Sequence, residues 1–230
     1  MQVFDYAACQ GMHDIRNNRC YDHRVDQLRI DPPVFQYAAD RHSVFIGCPL
    51  PLCCHTEPLI VTPESDTGIR VSTDNPSRTG PDRIVNAAAG YEIAKGPAIV
   101  IDFGTATTYD LIGPDGTLEA CIIAPGIETA GRSLWGGAAM LPAIQIRKPE
   151  SILARETVSG MQGGLVFGAI GQTEYIVKRM KEESGWEEAY VIATGGLGKI
   201  IAAETECIDL YDPQLTLNGL RLIYDRIKEK

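Results

Sequence analysis

The sequence has few basic residues, and no lysine precedes Lys95. Its 230 residues contain 21 lysines and arginines against 30 aspartates and glutamates, for a formal net charge of -9. Binding of DNA or RNA depends on basic side chains that displace the counterions of the phosphate backbone. We therefore predict that nucleic acid is not a partner.

Long hydrophobic runs are also lacking, since no stretch approaches the roughly 18 apolar residues of a membrane span. The opening residues Met1-Gln-Val-Phe-Asp-Tyr lack the basic, apolar and small-residue order of a secretory signal. We expect a cytoplasmic protein that does not bind a membrane. The length and the 44% hydrophobic content allow a core that needs no disulfide bonds.

Glycine is scarce in the first 55 residues, which hold two of the 23 glycines but all four histidines and five of the seven cysteines. Cys48, Cys53, Cys54 and His55 supply ligand types for zinc. Adjacent cysteines, however, do not easily converge on one ion, and the spacing differs from that of zinc ribbons and fingers. Reduced, packed thiols are the better interpretation in a cytosolic chain. Residues 1–56 carry no clear periodicity.

Regular patterns begin at Pro58 and alternate between short apolar runs and helical spacings. The predicted strands are 59–61, 98–101, 108–112, 118–123 and 190–193. The predicted helices are one that begins at Gly80-Pro81 and four more at about 127–139, 157–183, 197–203 and 215–228. Three strands followed by alternating helices and strands are typical of a ribonuclease-H-like α/β unit, which we place at residues 97–230.

Asp102-Phe-Gly-Thr ends one buried strand and turns into the next. Gly104 can bring backbone N–H groups close to a phosphate, Thr105 adds a hydroxyl donor, and an acid at the strand end can hold a cation. The alternative is a tight hairpin whose aspartate accepts hydrogen bonds from the turn. A protein-kinase interpretation of Asp-Phe-Gly fails, because the sequence has no His-Arg-Asp loop.

Two further segments contain glycines that would allow close approach of a ligand or of another helix. Gly195 and Gly196 lie between a buried strand and a helix, where backbone can approach an adenosine, although an ordinary turn also uses glycine there. The long predicted helix contains five glycines, each costing up to about 1 kcal/mol relative to alanine. Close contact with another helix or with a ligand would justify them, and simple helix packing is the alternative. They are Gly160, Gly163, Gly164, Gly168 and Gly171.

Gly80-Pro81-Asp82-Arg83 opens a helix with chemistry at its first turn. The Asp82 carboxylate can accept a proton from a substrate hydroxyl, and the Arg83 guanidinium can bind a substrate carboxylate through two hydrogen bonds. The alternative is that Asp82 only stabilises the helix start and that Arg83 is solvated.

Several ordered motifs between residues 58 and 230 together resemble the type III pantothenate kinases of the acetate and sugar kinase, Hsp70 and actin (ASKHA) superfamily. The motifs are Gly80-Pro-Asp-Arg with Asn86-Ala, Asp102-Phe-Gly-Thr-Ala-Thr-Thr, Pro125-Gly126, Leu141-Pro142, Thr157-Val-Ser-Gly-Met-Gln and Ala193-Thr-Gly-Gly. The resemblance implies an α/β fold with two ribonuclease-H-like domains, at 1–96 and 97–230, of which the first is incomplete. It also implies ATP-dependent phosphorylation of pantothenate, the first step of coenzyme A biosynthesis.

The resemblance assigns roles by position. Asp82 would be the general base, and Gly80, Pro81 and Arg83 would line the pantothenate site. Asp102 would bind a monovalent cation, potassium or ammonium, and Mg²⁺ would accompany ATP. Thr105 would contact the ATP phosphates, near Gly104, Gly195 and Gly196. Thr157 would contact pantothenate bound by the other subunit of a homodimer.

Departures from the family pattern concern mainly the start of the chain. The family's Asp-x-Gly-Asn-Thr phosphate turn is matched only by Asp5, which we nevertheless assign to the nucleotide site. Thr73 stands where the family usually has a tyrosine, Ala120-Cys121 where it has paired glycines, and Glu156 where it has an asparagine. One hypothesis is that the first 56 residues are not the natural start. The alternative function is a catalytically impaired homologue that acts as a binding or regulatory accessory protein.

Overall fold

A computed structural model of the chain describes residues 39–40, 43–46 and 59–229. The predictions for Asp5 and for the Cys/His-rich segment lie outside the described residues. Within them, two sheets are present. An antiparallel sheet has the strand order β1-β2-β3, and a six-stranded mixed sheet has the order β4-β7-β6-β5-β8-β9. The strands are β1 (Ala39–Asp40), β2 (Ser43–Ile46), β3 (Leu59–Val61), β4 (Arg70–Val71), β5 (Ala98–Phe103), β6 (Ala106–Ile112), β7 (Thr117–Pro125), β8 (Tyr190–Thr194) and β9 (Leu210–Tyr211).

Helices cover both faces of the larger sheet. They are α1 (Pro81–Ala94), α2 (Ile127–Gly137), α3 (Thr157–Ser184), α4 (Gly198–Ala202) and α5 (Leu215–Lys228), and a short 3-10 helix spans Pro76–Arg78. The cluster of buried side chains on one face joins β5 and β6 to α2, α3 and α4. A second cluster, on the other face, joins β5 to α1 and α5. This two-sided burial explains why β5 reads as a continuous apolar run.

The alternation of side chains along β5 and β6 decides which residues reach the site. Ile99, Ile101 and Phe103 pack toward α3, whereas Ala98 and Val100 pack toward α1. Successive side chains of a strand point to opposite faces, so Asp102 lies on the α1 face. On β6, Tyr109 packs toward α3, which places Asp110 on the α1 face as well. Two carboxylates therefore project from the sheet toward the same helix.

The predicted elements after Pro58 are confirmed, with ends that differ by a few residues. No predicted end differs by more than about two residues, as in β7, which extends to Pro125. Two short strands were missed, β4 and β9, since two residues are too few to establish a period. In the part of the chain that the structure describes, no helix is long and apolar enough to span a membrane.

Candidate functional site

Asp82, the predicted general base, lies in the first turn of α1. Pro81 is its first residue, and Gly80 precedes it in an extended conformation with φ -59° and ψ 135°. A Cβ atom on Gly80 would lie 2.5 Å from the Asp82 Oδ1 atom, so glycine leaves room for this carboxylate. Asp82 Oδ1 accepts a hydrogen bond of 2.9 Å from the Arg83 backbone N–H. The carboxylate is thus held at the helix start and remains partly exposed.

Asp102 lies at the end of β5 and is held by α1. The Asn86 Nδ2 atom donates a hydrogen bond of 3.1 Å to Asp102 Oδ2, and the Thr216 hydroxyl donates one of 2.7 Å to Asn86 Oδ1. Burial raises the pKa of Asp102 to about 6, the charge of Asp82 acts in the same direction, and the Asn86 hydrogen bond opposes both. The helix whose first turn contains Asp82 therefore also supplies the side chain that holds Asp102.

Arg83 forms a buried ion pair with Asp110. Its Nε and Nη2 atoms lie 2.8 and 2.5 Å from the same Oδ1 atom, and the two side chains are only 12% and 2% exposed. Burial raises the pKa of Asp110, which the hydrogen bond and charge of Arg83 oppose. Burial lowers the pKa of Arg83, but the hydrogen bond and charge of Asp110 outweigh it and leave this pKa raised. Arg83 is therefore a fixed part of the site and not a solvated neighbour.

The tip of the β5–β6 hairpin exposes Gly104 and Thr105, as a phosphate-binding turn requires. The carbonyl oxygen of Thr105 accepts hydrogen bonds from Gly126 N at 3.1 Å and from the Thr129 hydroxyl at 2.7 Å. A Cβ atom on Gly126 would overlap the carbonyl oxygens of Gly104 and Thr105, so only glycine allows this approach. The start of α2 thus fixes the hairpin tip.

Gly195 brings the second glycine turn against the same hairpin. Its φ is +92°, and a Cβ atom here would lie 2.6 Å from the Phe103 carbonyl carbon. The Tyr211 hydroxyl donates a hydrogen bond of 3.0 Å to the Gly195 carbonyl oxygen. A cavity of 290 Å³ opens between the two turns and α2. Its lining residues are Phe103, Gly104, Thr105, Glu128, Thr129, Arg132, Gly196 and Leu197.

Thr157 lies elsewhere, as the exposed first residue of α3. Glu156 caps this helix, because its Oε1 atom accepts a hydrogen bond of 3.2 Å from Ser159 N. In the described part of the chain, no hydrogen bond connects Thr157 with Asp82 or with the hairpin tip, and Thr157 does not line the cavity at that tip. The structure therefore brings together the residues predicted at 80–83, 102–105 and 195–196 and leaves Thr157 apart.

Three contributors were not assigned roles from the sequence. Asp110 carried a detectable signal, because it is the only charged residue of an otherwise uncharged, buried strand. Asn86 was quoted in a motif without a role. Thr216 carried no signal, since 130 positions separate it from Asn86.

The donor set suits a hard cation better than a soft one. Asp82, Asp102 and Asp110 lie close enough for their charges to act on one another, and carboxylate oxygens of this kind suit potassium or Mg²⁺. Among residues 59–229, however, no group of three or more His, Cys, Asp or Glu side chains is arranged to hold a metal ion by itself. A cation at Asp102 would take its remaining oxygen donors from backbone, water or a bound phosphate.

Comparisons with known proteins point to one family. The family model for type III pantothenate kinases matches residues 50–179. A type III pantothenate kinase of Agathobacter rectalis is 53% identical over 173 residues, and one of Bacillus cytotoxicus is 49% identical over 170. These matches cover 75% and 74% of this chain but 66% and 64% of the relatives, slightly less than two thirds of their length.

A solved structure also resembles the chain. A Baf family protein from Campylobacter jejuni matches with a TM-score of 0.50 and 21% identity, over 70% of each chain. At this identity the likeness concerns the fold alone, and it confirms the predicted ASKHA-type α/β class. The predicted domain boundary at 96/97 stays a prediction.

Proposed function

The chain belongs to the type III pantothenate kinase family, and we propose that it transfers the γ-phosphoryl group of ATP to the primary hydroxyl of pantothenate. The products are 4′-phosphopantothenate and ADP, in the first step of coenzyme A biosynthesis. One observation carries the proposal. Asn86 of α1, the helix whose first turn contains Asp82, donates a hydrogen bond to Asp102, next to the hairpin tip Gly104-Thr105 that opens onto a cavity.

Asp82 would accept the hydroxyl proton as the hydroxyl oxygen attacks the γ-phosphorus. The new P–O bond forms as the bond to the bridging β-oxygen breaks, and ADP leaves with that electron pair. Such transfers have a loose transition state, so positioning and cancellation of charge supply most of the rate. Gly80, Pro81 and Arg83 would position the acceptor beside Asp82.

The 290 Å³ cavity would receive the nucleotide from the α2 side of the hairpin. Its exposed Gly104 and Thr105 supply backbone and hydroxyl donors for phosphate, and Gly195 and Gly196 let backbone approach the nucleoside. The phosphates would then extend over the hairpin tip toward Asp82, on the α1 side. Asp5 would join this site from the segment outside the described residues.

Cations would neutralise the charge that accumulates on the α1 side. Asp102 is the favoured ligand for potassium or ammonium. Burial and the negative charge of Asp82 both disfavour its ionised carboxylate, and a bound cation would offset that cost. Bound Mg²⁺ would supply charge neutralisation at the ATP phosphates. ATP as a substrate, together with the acidic net charge, supports a cytoplasmic enzyme without nucleic-acid or membrane partners.

We also propose a homodimer in which Thr157 completes the site of the other subunit. Gly164, Gly168 and Gly171 line one side of α3, and a Cβ atom at each would meet nothing within 4 Å. Tyr175, one turn further on, is 66% exposed. This open side of α3 is where a second copy can approach closely.

Coupled ADP release with pantothenate, Mg²⁺ and potassium tests the reaction. Asp82→Asn should lower kcat by about 10²- to 10⁴-fold, the range expected for loss of a general base. Asp115→Asn, which breaks an exposed ion pair with Arg70, is the matched control and should retain activity. Equal turnover by wild type and Asp82→Asn would refute the base assignment. No turnover by the wild type would favour the impaired homologue.

Subunit mixing tests the shared site. Asp82→Asn and Thr157→Ala proteins should each be nearly inactive. After unfolding and refolding together, mixed dimers contain one intact site, so about a quarter of wild-type activity should return. Failure of activity to return, although mixed dimers are isolated through two affinity tags, would contradict the role of Thr157 across the interface.

A further inference from the structure

We propose that Asp110 is a positioning residue for the Arg83 guanidinium, whose N–H groups form two edges that can each bind a carboxylate. It binds one edge itself and leaves the other for the carboxylate of the acceptor substrate. This inference rests on the proposed function, because pantothenate supplies that carboxylate.

The hydrogen bonds identify the occupied edge. Arg83 Nε and Nη2 both donate to Asp110 Oδ1, at 2.8 and 2.5 Å. A guanidinium carries five N–H donors in a planar fork and can bind one carboxylate side-on through Nε and another end-on through its two Nη atoms. Among the described residues, Asp110 is the acceptor for the Arg83 side chain, and Nη1 meets none. The end-on edge is therefore the one left for a ligand.

The location of Asp110 makes it a rigid anchor. The residue lies within β6, where it pairs with Val100 of β5 on one side and with Cys121 of β7 on the other. Its side chain is 2% exposed, so it cannot follow a ligand outward. Arg83 by contrast lies in the first turn of α1, next to Asp82. The ion pair thus ties the helix start that carries the proposed base to the centre of the sheet.

This arrangement separates binding from chemistry. Without the Asp110 carboxylate, the Arg83 side chain loses the ion pair that fixes its orientation, and its end-on edge is no longer held in place for a ligand. The Asp82 carboxylate keeps its own bond to Arg83 N, which depends on the backbone and not on Asp110. Loss of Asp110 should therefore weaken binding of a carboxylate-bearing substrate more than it slows phosphoryl transfer.

The experiment compares pantothenate with pantothenol, in which an alcohol replaces the carboxylate. Asp110→Asn replaces the charged acceptor of Arg83 by a neutral amide, so it should raise KM for pantothenate about tenfold and leave kcat within about threefold. KM for pantothenol should change by less than about twofold, because that substrate lacks the group that Arg83 binds. Asp115→Asn should leave both KM values unchanged.

A double-mutant cycle separates positioning from a general structural effect. In an Arg83→Gln background, Asp110→Asn should add no further rise in KM for pantothenate, because its effect passes through Arg83. If Asp110→Asn does not fold, Asp110→Glu keeps the charge and moves the acceptor by one methylene. That variant should again raise KM for pantothenate and spare pantothenol.

Each outcome has a defined meaning. Equal increases in KM for both substrates, a loss confined to kcat, or a full additional effect in the Arg83→Gln background would overturn the positioning role. An unchanged Asp110→Asn enzyme beside an active wild type would overturn this inference alone. A wild type that neither phosphorylates pantothenate nor binds it by titration calorimetry would overturn the proposed function and this inference with it.

Discussion

Glycines serve two different purposes in the hairpin region and in α3. At Gly126 and Gly195 an added Cβ atom would collide with the backbone of the β5–β6 hairpin. At Gly164, Gly168 and Gly171 it would meet no atom within 4 Å. The first set is explained by contacts within this chain, whereas the second set is not. The role of a glycine-rich motif can therefore be assigned only when the atoms around it are known.

The region around the β5–β6 hairpin shows a second contrast, between complete hydrogen bonding of its buried polar atoms and an incomplete balance of its charges. Every buried side-chain nitrogen and oxygen atom among the described residues has a hydrogen-bond partner. The charges of Asp82 and Asp110 nevertheless disfavour ionisation of Asp102, whose hydrogen-bond partner Asn86 is neutral, so the charge at Asp102 is not balanced locally. We expect a bound cation to provide that balance.

The largest effect should come from replacing a glycine at the hairpin. Gly126→Ala places a methyl group against two carbonyl oxygens and should lower the free energy of unfolding by about 3 kcal/mol. Urea denaturation measures this, with Gly136→Ala as the control because its surroundings are open. A Gly126→Ala protein as stable as the wild type would remove the distinction between the two glycine sets.

Asp102→Asn should reveal the charge imbalance. The folded state holds the Asp102 proton up to a pKa of about 6, whereas the unfolded chain releases it near 3.8. The unliganded wild type therefore loses stability as the pH rises through this window, and by pH 8 the loss amounts to about 3 kcal/mol. Asp102→Asn should be more stable than wild type by up to that amount at pH 8 and equal at pH 3.

Thermal unfolding at the two pH values, without added potassium or Mg²⁺, checks this expectation. Added potassium should stabilise the wild type at pH 8 and leave Asp102→Asn unaffected, because a cation needs the ionised carboxylate. A constant difference between the two proteins at both pH values would show that Asp102 does not titrate in this range.

Thr216→Val should have a smaller effect on the same region. It removes the hydroxyl that holds the Asn86 amide toward Asp102 and should cost about 1–2 kcal/mol of stability. Thr216→Ser should restore the wild-type value, since serine keeps the donor. Equal free energies of unfolding for the valine and serine variants, measured by denaturation, would exclude a role for the hydroxyl.

The smallest effect is expected on α3. Gly168→Ala should increase the free energy of unfolding by roughly 0.5–1 kcal/mol in a monomeric sample, because alanine favours a helix and nothing opposes the methyl group. Sedimentation at higher protein concentration should show weaker dimer formation than in the wild type, because the added methyl group lies where the second copy is proposed to pack. A destabilised monomer would mean that this side of α3 is already covered within one chain.

Much of the fold after Pro58 was predictable, because the apolar runs of β5 and β6 are bounded by turn residues and α3 and α5 show helical spacing of their apolar residues. The site was predictable as separate motifs at residues 80–83, 102–105 and 195–196. Their partners were less accessible. Asp110 could be suspected as a charge within a buried strand, but Arg83 could not be named as its partner from spacing alone.

Most of the elements, the turns and the family followed from the order of residues alone, since these depend on local propensity and on residue types in a fixed order. The folded chain was needed to show that Asp110 binds Arg83, that Thr216 orients Asn86, and that three of the α3 glycines, Gly164, Gly168 and Gly171, face open space. These are contacts between residues distant in the chain. They depend on which strand faces which helix, and a two-residue period fixes the alternation of side chains but not the element that each face meets.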